Sequence, residues 1–323
     1  MSLSPQSPTL RGALFALLAF GLFSTHDLVV KFLGVNYAAP QIIFFSVLFG
    51  FPLIIFILIR DAEGGSLRPV HPWWTVARGA MSAISGGAVY YAISVLPLTQ
   101  LYPILFSTPL LITLMAIPIL GERVGPRRAG AVVVGLIGVI VVLQPGASAF
   151  SIGHLAALVA AGASAFNSII MRRVGRAERT VVLQLYPLIA NLMIMGALLP
   201  FVYVPMELTD LGASAVVAGL ALTAVACLVA AYRAAPAVVV APMQYSQIIW
   251  ASFFGFLFFD DSMDRMTVIG TAIIIASGIY IVLREDKRRA EGSAQPVLRS
   301  RSRAGTPSMP RVASFLTREE KDK

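Results

Sequence analysis

Apolar runs of about 20 residues recur along the whole chain and are separated by short segments that contain proline, glycine or charged residues. A helix rises ~1.5 Å per residue, so each run is long enough to cross the ~30 Å hydrocarbon core of a bilayer. The composition agrees with this interpretation, because 57% of the residues are hydrophobic, 13% are charged and the mean hydropathy is +0.81. The sequence therefore predicts an all-α integral membrane protein, since lipid-exposed backbone must satisfy its own hydrogen bonds.

These runs define ten predicted transmembrane helices with short connections between them. The spans cover approximately residues 11–33, 41–60, 73–95, 99–120, 128–143, 152–171, 180–204, 213–233, 238–259 and 266–283. Because most of the connections are short, we expect a compact helix bundle without a sizeable soluble domain.

Lysine and arginine are distributed unequally between the two sides of the predicted bundle. With ten spans both termini lie on one side, and placing that side in the cytoplasm puts all but Lys31 and Arg265 of the 25 cationic residues there. The outer connections instead carry five acidic residues: Glu207, Asp210, Asp260, Asp261 and Asp264. Both termini are therefore predicted to be cytoplasmic, and topology rather than nucleic-acid binding explains the net charge of +9.

Residues 286–323 differ from the rest of the chain in being rich in arginine, serine and proline and poor in apolar residues. Such a composition predicts a disordered basic tail, which the charge distribution places in the cytoplasm. A plain solubilising tail is one interpretation, and contact with anionic lipid headgroups is the other.

An internal repeat relates the two halves of the chain. The segment VLPLTQLYPILFSTPLL aligns with AAPAVVVAPMQYSQIIW at an offset of 139 residues, which pairs Pro97 with Pro236, Pro103 with Pro242, Ser107 with Ser246 and Glu122 with Asp261. Upstream, an offset of 141 pairs Gly12 with Gly153, His26 with Asn167 and Lys31 with Arg172. Because five spans per half is an odd number, the sequence predicts two inverted five-helix repeats, residues 11–145 and 152–285.

The segment LPLTQLYPILFSTPLLITLMAIPILGERVGPRRAGAVVVGLIGVIVVLQPG resembles the repeat unit of EamA-type proteins in the drug/metabolite transporter superfamily. It shares their proline-containing fourth helix, the Gly-Glu pair after it and a glycine-rich fifth helix, and APMQYSQIIWASFFGFLFFDDSMDRMTVIG is similar to the second copy. The resemblance covers about residues 11–285. It implies a ten-helix carrier of the bacterial inner membrane, with a central cavity between the halves and with helices 5 and 10 at the periphery.

Members of this superfamily move amino acids, nucleosides, riboflavin, S-adenosylmethionine, metal-chelating metabolites and toxic amphiphiles. The resemblance therefore implies an organic solute without specifying which one. Many relatives carry an arginine on the second helix, whereas this chain has Ser46 at the corresponding place.

Three ionisable residues, His26, Asp27 and Lys31, lie close together in the first predicted span, where ionisable groups are costly. One interpretation is that Asp27 and Lys31 neutralise each other across one helical turn while Lys31 reaches the headgroups. The other is that His26 or Asp27 faces the cavity and binds a cationic group or carries a coupling proton, with Asp27 the favoured residue. The second half has the neutral Asn167 and Ser168 at these positions.

Further polar and aromatic residues fall on the helices that the resemblance places around the cavity. Each could instead bond one helix to another, and Tyr102 could anchor the chain at the interface. Together they predict a mixed aromatic and amide lining for a neutral or zwitterionic solute. With His26 and Asp27, the candidate site residues are Tyr90, Tyr91, Ser107, Asn167, Tyr186, Tyr245, Ser246 and Trp250, and the candidate hinges are Pro103 and Pro242.

The sequence contains no H-E-x-x-H, G-x-S-x-G or G-x-x-x-x-G-K-[ST] motif, and its three histidines are far apart. We therefore expect no catalytic residues, metal site or cofactor, and a polytopic enzyme or receptor is the less favoured class. The predicted function is secondary transport of an amino-acid-like metabolite by alternating access. Export is favoured over uptake of a nucleoside-type metabolite such as S-adenosylmethionine, which the AP-x-x-Y pattern at Pro242 and Tyr245 resembles.

The partners expected for such a carrier are a small-molecule substrate and the lipid bilayer, with coupling protons as a hypothesis. Nucleic acid is not expected. The sequence is compatible with a monomer or a homodimer.

Overall fold

The computed structural model describes residues 8–59, 66–122, 124–144, 151–174, 177–178, 180–261 and 263–299, and within these ranges the chain forms helices and no strands. The α-helices are α1 Pro8–Leu33, α2 Ala39–Ile59, α3 Pro72–Val95, α4 Leu98–Leu105, α5 Thr108–Leu120, α6 Pro126–Leu143, α7 Ile152–Val174, α8 Thr180–Val202, α9 Leu208–Ala234, α10 Ala237–Val240, α11 Gln247–Phe259 and α12 Arg265–Arg299. A 3₁₀ helix, Ala241–Ser246, connects α10 to α11.

Seven stretches of the described chain are long and apolar enough to cross a membrane. They are Leu10–Leu33, Leu98–Leu120, Pro126–Leu143, Ile152–Val174, Val182–Val202, Leu208–Ala234 and Arg265–Leu283. A shorter apolar helical stretch covers Ala39–Pro52. The prediction of an all-α, multi-pass membrane protein is confirmed at this level.

Two of the predicted spans are interrupted helices. The span at 99–120 forms α4 and α5, which are separated at Phe106 and Ser107, and the span at 238–259 forms α10, the 3₁₀ helix and α11. Pro103 and Pro242 lie just before these breaks, and proline removes a backbone donor and crowds the preceding turn. The bounds of α5 and α11 differ by 139 residues at both ends, the same offset as in the sequence alignment.

The ends of α5 and α11 also have the same backbone geometry. Gly121 and Asp260, which follow the two helices, both adopt left-handed conformations with φ of 67° and 52°. The next residue bonds back across the last turn in each case, from Glu122 N to Ala116 O at 3.3 Å and from Asp261 N to Gly255 O at 3.0 Å. This is the Schellman arrangement, and it holds two acidic residues at matching positions just beyond their helices.

The first helix of each half packs mainly against the other half. The most extensive helix pairings are α1 with α9 and α3 with α7. A Cβ on Gly12 of α1 would overlap Ala235 at the end of α9, and one on Gly153 of α7 would overlap Leu96 at the end of α3. These two close contacts are related by the offsets of the repeat, so the halves interlock in the same way twice.

The chain divides into two units, Met1–Leu283 and Arg284–Lys323. The second begins close to the predicted start of the tail, yet α12 continues to Arg299, so residues 286–299 are helical rather than disordered. The sequence REDKRRAE at 284–291 consists of good helix formers, which explains why the helix does not stop at the end of the apolar run. The rest of the predicted tail, 300–323, lies outside the described residues.

We predict opposite effects for two glycine-to-alanine substitutions near this helix end. Gly121→Ala places a side chain on a left-handed residue, which costs about 1–2 kcal/mol, and the midpoint of thermal unfolding in detergent should fall. Gly130→Ala is the matched control, because Gly130 lies inside α6 with open space around its Cα and alanine favours a helix. Equal midpoints for the two variants would contradict the conformation described for Gly121.

Candidate functional site

A buried network of four polar side chains joins α1, α3 and α4. His26 Nδ1 lies 2.8 Å from Asp27 Oδ1, and the Tyr102 hydroxyl donates to the other carboxylate oxygen, Oδ2, at 2.6 Å. The Tyr90 hydroxyl lies 3.1 Å from His26 Nε2, and the two rings meet edge to face. His26 is 8% exposed and Tyr102 is 2% exposed. Both oxygens of Asp27 are therefore engaged away from bulk water.

The geometry of this network fixes the roles of its hydrogens. An ionised carboxylate only accepts hydrogen bonds, so Nδ1 of His26 carries a hydrogen and donates it to Asp27. Nε2 accepts from Tyr90 when the imidazole is neutral and donates to it when the imidazole is charged. His26 can hold or release a proton without losing a hydrogen bond, which suits a group that exchanges protons inside a membrane bundle.

Lys31 does not pair with Asp27, and the predicted ion pair within α1 is wrong. Lys31 Nζ donates to Asp261 Oδ2 at 3.1 Å and to the carbonyl of Leu96 at 3.0 Å, and it lies 4.4 Å from the ring centroid of Phe259. With 8% of its surface exposed it also does not reach out to the headgroups. Asp27 already has donors on both oxygens, so the stronger partner available to Lys31 is the acid at the end of α11.

A cavity of ≈ 140 Å³ adjoins this network and lies between the two halves of the chain. Its walls are mainly apolar, and His26 is the ionisable residue in the lining. Ser46 also faces it, and the Ser46 hydroxyl is buried with no hydrogen-bond partner among the described residues. The lining consists of His26, Ser46, Val47, Gly50 and Tyr90 from one half and Leu188, Val217, Ala218, Ala221 and Leu222 from the other.

A second, larger cavity of ≈ 780 Å³ lies between the α1–α2 connection, α3 and α8. Tyr91 lines this cavity, whereas its neighbour Tyr90 lines the smaller one, so the structure separates two residues that the sequence analysis grouped. Most of the lining is apolar, and its polar side chains include Asn36, Tyr37 and Ser94. The cavity lacks the ionisable pair that distinguishes the smaller one.

Asn167, the repeat counterpart of His26, bonds to an arginine that the sequence analysis assigned to an inner connection. Arg78 Nη1 donates to Asn167 Oδ1 at 2.9 Å, and Arg78 Nε donates to the carbonyl of Leu183 at 2.9 Å. Arg78 lies inside α3, within the predicted span at 73–95. An ionisable residue within a predicted span was the signal that could have identified it.

An aromatic series extends from the network toward α11. Tyr102 stacks on Phe106 with a centroid separation of 6.0 Å, and Phe106 meets Tyr245 edge to face at 5.1 Å. Ser107 and Ser246 lie at the matching helix breaks: the first donates to a backbone carbonyl three residues earlier, while the second is buried without a partner in the described part of the chain. Tyr245 and the two serines are thus close to the candidate hinges rather than in the small cavity's lining.

Trp250 and Tyr186 lie apart from the network. Trp250 packs beside Gly21 and stacks on Phe254 with centroids 5.9 Å apart. The exposed Tyr186 hydroxyl donates to the carbonyl of Leu67 at 3.3 Å, in the connection before α3. Neither lines the small cavity in this conformation.

Two titratable groups outside the spans have shifted pKa values. The Tyr37 hydroxyl donates to Asp210 at 2.6 Å, and this hydrogen bond to a carboxylate raises the pKa of Tyr37. Partial burial opposes ionisation of Asp264, but hydrogen bonds from Thr267 and Gln144 outweigh it and lower the pKa of Asp264. Both acids therefore stay charged at neutral pH and connect helices at their ends.

The described residues contain no group of three or more His, Cys, Asp or Glu side chains that could hold a metal ion. The chemistry available at the network is therefore hydrogen bonding, charge pairing and proton exchange by His26 and Asp27.

The sequence model of the EamA-like transporter family matches the chain twice, over residues 10–144 and residues 151–284. A riboflavin transporter from Rhizobium johnstonii is 29% identical over 86% of this chain and 92% of its own length. A pseudopaline exporter from Pseudomonas aeruginosa is 27% identical, covering 84% and 95%. An S-adenosylmethionine uptake transporter from Rickettsia prowazekii is 24% identical, covering 86% and 94%.

A solved crystal structure also matches, with a TM-score of 0.58 and 19% identity, over 84% of this chain and 97% of the other. At this identity the match supports the fold alone. The family match spans nearly all of the chain up to the end of the apolar part of α12, and the relatives are membrane transporters. The resemblance found in the sequence is confirmed, and the chain belongs to the EamA-like transporter family.

Proposed function

We propose that the protein is a secondary active transporter that moves a small amphipathic or zwitterionic, amino-acid-like metabolite across the bacterial inner membrane by alternating access. The observation that carries the proposal is the cavity between the halves, which places a buried ionisable pair at a site that both halves line. Export is the favoured direction, and no residue is given a catalytic role.

The proposed architecture is ten spans in two inverted five-helix repeats, residues 11–145 and 152–285. Two features support it: the family model matches each half separately, and α5 and α11 begin and end 139 residues apart. Ten spans result when α4 with α5, and α10 with the 3₁₀ helix and α11, each count as one interrupted span. The lysine and arginine distribution supports cytoplasmic termini.

The lining of the cavity supports a zwitterionic or amphipathic substrate. Ser46 stands where relatives resembling this chain carry arginine, so no fixed cation selects an anion there. His26 and the Ser46 hydroxyl form a polar end suited to a headgroup, while the leucine, valine and alanine residues suit an apolar part. At ≈ 140 Å³ the cavity must widen to admit a metabolite, and Pro103 and Pro242 are the proposed hinges.

Uptake of a nucleoside-type metabolite is the second candidate. The aromatic series of Tyr102, Phe106 and Tyr245 favours it, because a nucleobase can stack on such rings. The relative named as an S-adenosylmethionine uptake transporter points in the same direction.

We further propose that His26 and Asp27 couple transport to protons. Protonation of Asp27 would remove the charge that His26 and Tyr102 now stabilise, and so would loosen the link between α1 and α4. A proton bound at this place therefore changes the stability of one packing arrangement relative to another, as coupling requires.

The first test is a thermal-shift panel on the purified protein in detergent. The panel contains amino acids, N-substituted amino acids, S-adenosylmethionine and riboflavin at millimolar concentration. A ligand at 100 times its Kd should stabilise the folded protein by about 2.7 kcal/mol and raise its unfolding midpoint. Amino-acid-like hits support the first candidate, and S-adenosylmethionine alone supports the second.

The matched control for the panel is Ser46→Leu, which fills the small cavity with an apolar side chain. Its own midpoint serves as the baseline, and the shift produced by a hit should disappear. A hit that shifts Ser46→Leu as much as the wild type, or a panel without any hit, would contradict the proposed site.

The second test uses proteoliposomes and the compound with the largest shift. Asp27→Asn should abolish accumulation driven by a proton gradient but retain exchange of labelled for unlabelled compound, because exchange needs no net proton movement. Asp260→Asn removes the same charge at an exposed helix end and should leave both activities unchanged. Gradient-driven accumulation that survives in Asp27→Asn would show that Asp27 does not carry the coupling proton.

A further inference from the structure

Two ion pairs connect the halves at positions that the repeat relates. Lys31 Nζ lies 3.1 Å from Asp261 Oδ2, and Arg172 Nη2 lies 2.6 Å from Glu122 Oε1. The two cations are 141 residues apart and the two acids are 139 residues apart, which are the offsets of the repeat. Each pair joins the end of the first helix of one half to the acid that follows an interrupted span of the other.

The acidic partners are also held by the same local structure. Glu122 and Asp261 each follow a left-handed residue, and each bonds through its backbone N–H to a carbonyl six residues earlier. A chance surface contact between long side chains would not reproduce both the sequence positions and this backbone arrangement. The two pairs are therefore one interaction that occurs twice.

The pairs lie at opposite ends of α3. Lys31 donates to the carbonyl of Leu96, immediately after the last residue of α3, while Arg173, next to Arg172, lies 5.0 Å from the ring centroid of Trp74 in the first turn. The 24 residues of α3 give it a length of about 36 Å. The two ion pairs are therefore separated by about the thickness of a bilayer.

The surroundings of the two pairs differ in this conformation. The Lys31 and Asp261 side chains are 11% and 19% exposed, whereas those of Arg172 and Glu122 are both 32% exposed. Water screens an exposed pair, so the attraction between Arg172 and Glu122 is the weaker of the two. The end of the bundle that contains Lys31 is thus the more tightly closed.

We propose that Lys31–Asp261 and Arg172–Glu122 are the two gating pairs of the transport cycle, one at each end of the bundle, and that they open alternately. This inference rests on the proposed alternating-access function. When the two halves exchange their arrangements, the buried pair becomes the solvated one and the reverse. Each half thus supplies a cation to one gate and an acid to the other, so that opening one end can favour closing the other.

Distances between spin labels test this proposal without substrate. In a Cys227→Ser background, labels at Val35 and Met266 report the end that contains Lys31, and labels at Ile117 and Met171 report the other end. All four positions are exposed, and each pair has one label in each half. Because no ligand is added, the result does not depend on whether the panel identifies a substrate.

Lys31→Met removes the charge and keeps an apolar stem against Phe259. It should increase the Val35–Met266 distance, with a population change of about tenfold, the factor that corresponds to 1.4 kcal/mol. Arg172→Met should increase the Ile117–Met171 distance instead, and by a smaller population change. Unchanged distances, or the same change at both ends for either variant, would overturn the proposal.

Charge exchange separates a gate from a structural contact. Lys31→Asp combined with Asp261→Lys should restore the Val35–Met266 distances, whereas either substitution alone should not. Tyr37→Phe is the matched control, because it removes the hydrogen bond to Asp210 without changing any charge at neutral pH, and it should leave both distances unchanged. A lower unfolding midpoint without any change in distance would assign the pairs a structural role only and refute the proposal.

Discussion

A carboxylate inside a helix bundle needs hydrogen-bond donors on both of its oxygens, and in this protein Asp27 imposes that requirement on three helices. His26 supplies one donor from the neighbouring position, and Tyr102 supplies the other from α4. Tyr90 then fixes the opposite edge of the imidazole from α3. The rotation of α1 in the bundle is set by this requirement.

The same requirement determines where Lys31 goes. A lysine four residues after an aspartate is an ordinary helical ion pair when both face water. Here the carboxylate is already satisfied, and the ammonium group reaches Asp261 and the free carbonyl at the end of α3 instead. One locally satisfied acid therefore makes a cation available for a contact between the halves.

The membrane class, the family and the residues of the ionisable pair could be predicted from the sequence, because apolar runs and charges within them are local properties. The partners of His26, Asp27 and Lys31 could not be, because partner choice depends on helix rotation and on which donors arrive first. Tyr102 illustrates this: its position near the end of an apolar run indicated an interfacial anchor, but the break after Pro103 places it inside the bundle. The alignment contained both acids and both cations of the cross-half pairs, but it could not show that they meet.

The glycine contacts at Gly12 and Gly153 have a consequence for how the chain assembles. The first helix of each half is packed against the third span of the other, with no room for a side chain at the point of contact. Neither half is then a self-contained folding unit. The polypeptide resembles two subunits that have exchanged an arm and have been fused end to end, so the joining of its halves completes folding rather than docking two finished domains.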